Sequence, residues 1–376
     1  MSHIIIITTS YPFTNDGSEA AGSFVADFAK TLANQAQVTI IAPSLNSSSE
    51  KISPSLTVER FKVPRLPLSL LKPYKNWLAI ATTLYAGKKA LEQVVKNNKV
   101  NHIFALWVLP CGYWAKTIGD KYNIPYSTWA LGSDIWSLGK IPIIKNVLKK
   151  ILKNSQVNFA DGYLLKQSVE SLAKCPCQFL PSTRKLNIPK PKQLSIQPPY
   201  RLAFLGRWHP NKGIDLLLES LSQLTDWQNI EEIRICGGGP LEKTVKSACK
   251  TLKPHPVTLQ GYLTKNQAVE LFLWADYVLI PSRIESIPVV FSDAMKCGCP
   301  IISMPVGDLP RLVMEYKVGI LAEEASATAF AQAINHILTL PPNSFSTGIQ
   351  QAANDFNLEH IVAKFTDTAF LDCKYK

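Results

Sequence analysis

A chain of 376 residues exceeds the usual size of one hydrophobic core, so its length predicts two domains. Hydrophobic residues make up 46% and charged residues 18%, as in an ordinary soluble globular protein. No apolar run approaches the ~20 residues that cross a bilayer, and the run at residues 4–7 is too short for a signal-peptide core. We therefore expect a cytoplasmic protein.

The net charge of +12 lies entirely in the first half of the chain. Residues 1–185 carry 22 Lys or Arg against 10 Asp or Glu, whereas residues 186–376 carry 18 of each. A one-sided basic surface suits an anionic partner, such as a membrane face, a phosphorylated lipid or an acidic glycan. No helix-turn-helix, zinc-finger or RNA-binding signature is present, so no nucleic-acid partner is expected.

The eight cysteines predict reduced thiols, because they fall in predicted strands, helices and their ends. The pairs Cys175/Cys177 and Cys297/Cys299 have no second Cys or His pair at metal-site spacing. The sequence therefore predicts no metal site.

In chain order, the first half alternates strands with helices. The predicted strands are residues 3–10, 38–42, 102–106, 126–131 and 163–165, and the predicted helices are residues 18–35, 76–96, 112–121 and 143–153. This βαβ alternation predicts an α/β fold with a parallel, doubly wound sheet.

Residues 181–200 break the pattern with clustered prolines and predict an interdomain linker. A second alternation follows, with strands at 201–205, 233–236, 257–260, 277–281 and 301–304, and closing helices at 326–340 and 358–371. We predict two Rossmann-like domains, residues 1–185 and 186–355, and a C-terminal helix, 356–376, that packs back on the first domain. Ligands of such sheets bind beyond the carboxyl ends of the strands, so two facing domains define a cleft.

Two cations follow the first strand of the second half. Arg207 ends this strand, and Lys212 with Gly213 opens the next helix. Fixed cations beside a helix N-terminus suit a diphosphate, since the guanidinium, the ammonium and the free amides all favour negative charge. A pair of solvated surface cations is the alternative. The later turn at Gly237, Gly238 and Gly239 permits close backbone approach to a ligand, or is a plain tight turn.

The most informative segment is residues 281–302. A buried strand ends at Pro281, a loop holds Glu285, Pro288 starts a helix, and Asp293 lies about one turn inside it. The helix N-terminus suits a phosphate, and the two carboxylates suit sugar and ribose hydroxyls. The alternative for the acids is stabilisation of the helix dipole by roughly 0.3–1 kcal/mol.

Residues 204–213, 237–240 and 281–302 together resemble, in the same order, the family 4 retaining glycosyltransferases of the GT-B fold, also called glycosyl transferases group 1. Residues 10–43, 106–112 and 132–134 resemble the first domain of that family. The resemblance implies two Rossmann-like domains whose parallel sheets face each other across a cleft, the first binding the acceptor and the second the nucleotide-sugar.

The resemblance also implies roles for individual residues. Arg207 and Lys212 would bind the donor diphosphate, Glu285 would contact the donor sugar, and Asp293, second acid of an E-x7-E motif, would hold the ribose. A loop at Gly17 would approach the donor phosphate or the acceptor. The remaining donor-binding candidates are Gly238, Ser286, Ile287, Pro288 and Val289. No metal and no cofactor are expected, because the nucleotide-sugar is a substrate and the cations with the helix dipole replace a metal ion.

Three positions depart from the family pattern. The second acid is Asp293 rather than Glu, and Leu131 stands where a His is common. The run at 104–107 also lacks a His that related chains often carry. Asp134 is our candidate for an acceptor contact in catalysis, and a turn-forming Asp that caps the next helix is the alternative.

Residues 140–153 alternate Ile, Val and Leu with lysines. They predict either an interfacial helix on anionic lipid or a domain helix whose apolar stripe packs on the sheet. Basic residues among leucines at 60–77 are a second candidate for a membrane contact.

The sequence thus predicts a hexosyltransferase-type retaining enzyme. It would move a sugar from a UDP- or GDP-sugar to a glycan or lipid-linked acceptor in cell-envelope or exopolysaccharide biosynthesis, at the inner membrane face. A catalytically weak nucleotide-sugar-binding protein of a polysaccharide assembly is the alternative. A sugar-nucleotide epimerase is the third interpretation, and it suffers from the scarcity of His.

Overall fold

The computed structural model describes residues 1–12, 22–66, 73–189, 192 and 195–371. The chain divides into two compact units. The first unit comprises Met1–Ser182 and Leu358–Lys376, and the second comprises Thr183–Asn357. These divisions fall within three residues of the boundaries predicted at 185/186 and 355/356.

The first unit is built on an eight-stranded sheet in the order β3-β4-β2-β1-β5-β6-β7-β8. Its strands are β1 (His3–Ile7), β2 (Gln37–Ser44), β3 (Ser48–Ser53), β4 (Leu56–Lys62), β5 (His102–Leu106), β6 (Tyr126–Ala130), β7 (Val157–Ala160) and β8 (Gln178–Phe179). Its helices are α1 (Ser23–Leu32), α2 (Pro73–Asn97), α3 (Tyr113–Tyr122), α4 (Ser133–Trp136), α5 (Pro142–Asn154) and α6 (Tyr163–Ala173). All neighbouring strands are parallel except the antiparallel pair of β3 and β4.

The second unit has a six-stranded parallel sheet in the order β11-β10-β9-β12-β13-β14. Its strands are β9 (Tyr200–Arg207), β10 (Ile230–Gly238), β11 (Val257–Gln260), β12 (Tyr277–Ile280), β13 (Ile301–Ser303) and β14 (Gly319–Leu321). Its helices are α7 (Ile214–Ser222), α8 (Glu242–Thr251), α9 (Lys265–Trp274), α10 (Val289–Lys296), α11 (Leu309–Tyr316), α12 (Ala327–Ile337) and α13 (Ser346–Asp355). The prediction of two parallel α/β sheets is confirmed.

The last helix, α14 (Leu358–Leu371), belongs to the first unit. The ring of Phe365 lies 4.2 Å from that of Phe104 on β5 and 5.5 Å from that of Phe28 on α1. All three side chains are buried, so α14 completes one face of the core of this unit.

One predicted element is wrong. Residues 163–165 form no strand, because they open α6, and the strand of this region is β7. A short apolar run has no readable period, whereas the buried residues Leu165, Val169 and Ala173 recur at helical spacing. The sequence also gave no sign of β3, whose residues are largely exposed and polar.

Candidate donor site

The sheet of the second unit changes direction beside β9. Successive strands β10 and β11 lie on one side of β9, and the chain then returns to place β12 on the other side. A crevice beyond the carboxyl ends of two such strands is where open α/β sheets bind ligands. The segments that follow β9 and β12 carry the predicted donor-binding residues.

The turn after β9 is pressed against the end of β12. Gly213 has φ +65°, and a Cβ at this position would lie 1.8 Å from the carbonyl oxygen of Pro281. Only glycine permits this approach, which brings the start of α7 to the end of β12. Arg207 is exposed, and its guanidinium has no hydrogen-bond or ion-pair partner among the residues that the structure describes.

The loop after β12 is fixed to the same turn by Arg283. Its backbone amide donates to the carbonyl of Asn211 at 2.9 Å. Its guanidinium donates two hydrogen bonds to the carboxylate of Asp215, at 2.7 and 2.8 Å. This pairing lowers the pKa of Asp215 and raises that of Arg283, since each charge stabilises the other. The two loops therefore form one braced structure.

The bracing brings Lys212 and Glu285 together across 73 residues of sequence. The Lys212 Nζ atom lies 2.5 Å from Oε1 of Glu285, and the hydroxyl of Ser282 donates to the same oxygen at 2.7 Å. The Lys212 side chain is 38% exposed and that of Glu285 is 9% exposed. The Lys212 side chain is thus partly open to solvent, while the Glu285 carboxylate is nearly buried and held by two hydrogen bonds.

Helix α10 begins beside this pair. Pro288 is its N-cap residue, and its first turn starts at Val289 with amides that have no partner inside the helix. The preceding residue Ile287 is buried, whereas the Ser286 hydroxyl is shielded from solvent and finds no hydrogen-bond partner in the described ranges. The helix start and an unpaired hydroxyl therefore lie next to the charged pair.

At the end of β10, the packing of the protein itself requires a glycine at position 237. A Cβ at Gly237 would lie 1.9 Å from the carbonyl oxygen of Gly206, and one at Gly238 would lie 2.6 Å from the ring of Tyr262. Gly238 is paired in register with Arg207, so it stands at the same sheet edge as the cation. A contact of Gly238 with a donor stays a prediction.

Asp293 lies inside α10, with a fully buried side chain. Its Oδ2 atom accepts a hydrogen bond from the Arg184 guanidinium, and its buried Oδ1 atom has no partner within the described part of the chain. The predicted ribose contact of Asp293 stays a prediction, and in this structure neither oxygen faces open space.

In the first unit, Asp134 is 1% exposed. Its carboxylate accepts the backbone amides of Val108, at 2.7 Å, and Leu131, at 3.3 Å. It therefore ties together the loops that follow β5 and β6. The N-cap position of α4 is Gly132, so Asp134 lies inside this short helix, and the capping alternative stays open. Burial raises the pKa of Asp134 to about 6, although the amide hydrogen bonds oppose that rise. Its contact with an acceptor stays a prediction.

The hydrogen bond from the Val108 amide to the Asp134 carboxylate lies next to a strained turn. Trp107, directly before Val108, has φ +68°, a left-handed conformation that few residues other than glycine adopt. The other predicted residue of this unit, Gly17, lies outside the described residues. His102 lies just before the 104–107 run, which lacks the His of related chains. Its side chain is fully buried and hydrogen-bonded to Ser127 at 3.0 Å, and burial lowers its pKa to about 3. It is placed as a core residue.

Sequence analysis missed the residues that contact the backbone of the loop after β12, which carries Glu285. A Cβ at Gly307 would lie 2.2 Å from the carbonyl oxygen of Glu285, and the amide of Asp308 donates to the carbonyl of Ser286 at 3.2 Å. It also missed Ser282 and Arg184, which bind the two acids. Ser282 lies inside the recognised motif, whereas Arg184 stands 109 residues from its partner and gives no local signal.

Over the part of the chain that the structure describes, no group of three or more His, Cys, Asp and Glu has the arrangement of a metal site. Metal independence and the absence of a cofactor stay predictions. The seven cysteines within these residues are free thiols.

Helix α5 has the packing of a domain helix, and a contact of residues 140–153 with lipid stays a prediction. Leu148, Ile151 and Leu152 are buried in the core of the first unit, as a packed domain helix requires. At the start of the same helix, Ile143 is 79% exposed, and the preceding Ile141 is 42% exposed. In the second basic candidate, much of which falls outside the described residues, Trp77 is 65% exposed. Searching the described residues finds no helix long and apolar enough to span a bilayer.

Comparisons with known proteins agree with this geometry. Residues 199–339 match the family model of Glycosyl transferases group 1, and the match contains Arg207, Lys212, Glu285 and Asp293. The chain is 28% identical over 220 residues to D-inositol 3-phosphate glycosyltransferase of Corynebacterium aurimucosum, which covers 52% of this chain and 50% of the relative. It is 27% identical over 247 residues to the putative teichuronic acid biosynthesis glycosyltransferase TuaC of Bacillus subtilis, covering 62% and 60%. These matches thus span about half of the length of the first curated relatives.

Two solved structures share the fold over nearly the whole chain. Sucrose-phosphate synthase from Thermosynechococcus elongatus superposes with a TM-score of 0.79 at 19% identity and covers 100% of both chains. HepE of Anabaena, solved in complex with UDP-glucose, gives a TM-score of 0.69 at 16% identity and covers 98% and 99%. The parallel sheets, the braced loops and the family match agree: residues 199–339 resemble the group 1 glycosyltransferases, and the chain has the GT-B fold.

Proposed function

We propose that this chain is a retaining hexosyltransferase that takes its sugar from a UDP- or GDP-sugar. The observation that carries the proposal is the Lys212–Glu285 pair, which lies beside the start of α10 at the switch point of the second sheet. A cation, a carboxylate and a set of free amides at one sheet edge match the diphosphate and the hydroxyls of such a donor. The nucleotide is supported by HepE, whose structure holds UDP-glucose.

In the proposed reaction, the bond between the anomeric carbon and the diphosphate breaks as the acceptor oxygen bonds to the same face of that carbon. The departing diphosphate oxygen takes the proton of the acceptor, so no protein base is required. Lys212, Arg207 and the first amides of α10 stabilise the charge that develops on the diphosphate. Glu285 holds the donor sugar through its hydroxyls. No metal or cofactor enters this scheme.

For the acceptor, we propose a glycan or lipid-linked saccharide at an anionic membrane surface, in envelope or exopolysaccharide biosynthesis. Residues 135–160 contain no acidic residue. The five lysines of α5 and of the segment just before it make no ion pair with any described residue. These are Lys140, Lys145, Lys149, Lys150 and Lys153. Exposed isoleucines next to unpaired lysines suit a surface of anionic headgroups. The name of the TuaC relative, which refers to teichuronic acid, supports an envelope glycan.

A second candidate is a nucleotide-sugar-binding protein with weak catalysis. The burial of Asp293 favours it, because one of the two motif carboxylates is engaged by the protein itself. The accessible Lys212 and the ordered Glu285 favour the enzyme.

The proposal is tested by incubating the purified protein with a panel of UDP- and GDP-sugars, with EDTA present, and measuring release of free nucleotide. Release from one donor identifies the sugar and establishes metal-independent chemistry. Nucleotide binding by calorimetry without release, even with lipid-linked acceptors added, supports the binding protein. Absence of both binding and release contradicts the proposed function.

A further inference from the structure

The carboxylate of Asp293 is closed to ligands. Its Oδ2 atom is bonded to the Arg184 guanidinium, its Oδ1 atom is buried, and the side chain has no exposed surface. A hydroxyl group is about as large as a water molecule, and the buried carboxylate leaves no exposed surface for a group of that size. A ribose hydroxyl therefore cannot bind Asp293 while the ion pair is in place.

The partner of Asp293 is itself firmly held. The backbone carbonyl of Arg184 accepts a hydrogen bond from Lys296 of α10 at 2.6 Å. The neighbouring Thr183 hydroxyl lies 3.2 Å from that of Ser292, also on α10, and donates to the Phe356 carbonyl at 3.0 Å. The Arg184 side chain is only 14% exposed. The segment is therefore bonded along α10, and Arg184 is no mobile surface group.

The energetic balance favours the ion pair over a ligand contact. Separating a buried arginine from a buried carboxylate leaves a charge without either water or a partner. A hydrogen bond from a ribose hydroxyl offsets only part of that cost. The aspartate side chain is also one methylene shorter than a glutamate, which keeps its oxygens close to the helix and to Arg184.

We propose that Arg184 sequesters Asp293, and that the ribose hydroxyls of the bound nucleotide are consequently not held by the second acid of the motif. Arg184 is then a specificity-determining residue that acts through Asp293. This inference rests on the proposed nucleotide-sugar site and refines it. Nucleotide affinity in this chain derives from the groups around the diphosphate and is insensitive to the ribose hydroxyls.

The test compares UDP and GDP with their 2′,3′-dideoxy counterparts by calorimetry. For the wild type and for Asp293→Asn, we expect removal of the hydroxyls to weaken binding by less than about tenfold, because a typical neutral hydrogen bond contributes about two- to tenfold and no charged group reaches the hydroxyls. In Arg184→Met the freed carboxylate becomes available, and the preference for the hydroxylated nucleotide should rise about tenfold or more. The double variant Arg184→Met/Asp293→Asn should return to the wild-type ratio.

Arg201→Met is the matched control, because Arg201 pairs with the equally buried Asp276 at 3.3 Å, where β9 begins. It should lower stability without changing the ratio of affinities. If Arg184→Met fails to fold, Arg184→Lys, which keeps the charge but shortens the reach, should still raise the ratio.

A tenfold or larger loss with dideoxy nucleotides in the wild type that disappears in Asp293→Asn would overturn the inference, because Asp293 would then reach the ribose. An unchanged ratio in both Arg184 variants would overturn it too. If the wild type binds neither UDP nor GDP, the proposed function falls together with the inference. Nucleotide binding with the wrong ratios removes only the inference.

Discussion

The carboxyl edges of the two sheets present opposite kinds of polar side chain. In the second unit, Arg207 is exposed, and the partly exposed Lys212 is hydrogen-bonded to the nearly buried Glu285. In the first unit, the one acid that sequence analysis selected, Asp134, is buried and accepts backbone amides. The second edge is therefore arranged to meet a charged ligand, whereas the acid of the first edge shapes a loop.

This contrast also separates charge from chemistry. The excess positive charge belongs to the first half of the chain, yet the ion pairs of the candidate site lie in the half with no net charge. The net charge of a surface determines which partners it attracts at long range. The ligand bound at a sheet edge depends instead on the positions of a few residues there.

The largest expected effect sharpens the contrast through Lys212→Met and Glu285→Gln. Each should lower kcat/KM for the donor by about 10²–10³-fold, since each removes a fixed group that stabilises developing charge or positions the sugar. The double variant should lose little more than the worse single variant, because the two side chains are hydrogen-bonded to each other.

Steady-state nucleotide release measures this effect, with Asp134→Asn assayed alongside. If Asp134→Asn lowered kcat/KM more than Lys212→Met does, the contrast would be wrong, and Asp134 would have a direct role in the reaction.

The next effect concerns the glycine that follows a strand at each edge. Gly213→Ala should lower the free energy of unfolding by about 3 kcal/mol or more, because a positive φ and an overlap with the Pro281 carbonyl act together. Gly132→Ala, in the first unit, should cost only about 1–2 kcal/mol, since it has φ +109° but no heavy atom closer than 3.5 Å to the added Cβ. Urea denaturation of both variants gives the two values, and equal losses would contradict the tighter packing assigned to the second edge.

The fold was largely readable from sequence because the central strands are apolar runs buried on both faces. Residues of β1 and β12 show this directly, since every interior position is buried. The edge strand β3 was unreadable for the opposite reason, as its polar residues are exposed and it is defined only by pairing with β4. The strand predicted at 163–165 failed because three apolar residues carry no period.

Residues of the candidate site could be predicted from sequence only where they belong to a local motif. Lys212 and Glu285 were selected separately, and their pairing follows from the neighbouring positions of β9 and β12. The engagement of Asp293 by Arg184 depends on a contact across 109 residues, which composition and spacing do not encode. The same limit applies to Asp134, because no sequence pattern shows that a carboxylate turns inward to accept an amide of another loop.

A pH experiment tests the burial of Asp134. Its folded pKa is raised to about 6 from an ordinary value of 3.8, so the folded state binds this proton more tightly than the unfolded state. The resulting stability is fully present below pH 3.8 and is lost as the pH rises through 6. The free energy of unfolding of the wild type, relative to Asp134→Asn, should therefore fall by about 2–3 kcal/mol between pH 4 and pH 7.

Urea unfolding of both proteins across this range supplies the measurement, and taking the difference removes titrations that the two proteins share. A difference that rises with pH would mean that Asp134 is stabilised as a carboxylate, as an accessible ligand-binding acid would be.

The smallest expected effect tests whether the basic surface of the first unit works independently of the donor site. Lys149→Gln/Lys150→Gln should weaken binding to vesicles that contain anionic lipid by about fivefold for each lysine, since each contributes about 1 kcal/mol near such a surface. Donor-dependent nucleotide release with a water-soluble acceptor should be unchanged. Sedimentation with vesicles of anionic and of zwitterionic lipid measures the first quantity.

Lys246→Gln on α8 is the matched control, because this lysine is exposed but pairs with Glu242 at 2.6 Å in the unit without net charge. Its vesicle binding should equal that of the wild type. If Lys149, Lys150 and Lys246 contributed equally to vesicle binding, the attraction would depend on total charge, and α5 would have no special role. If only the α5 variant is weakened, the two units divide the work, one meeting the membrane surface through its outer helix and the other holding the donor at its sheet edge.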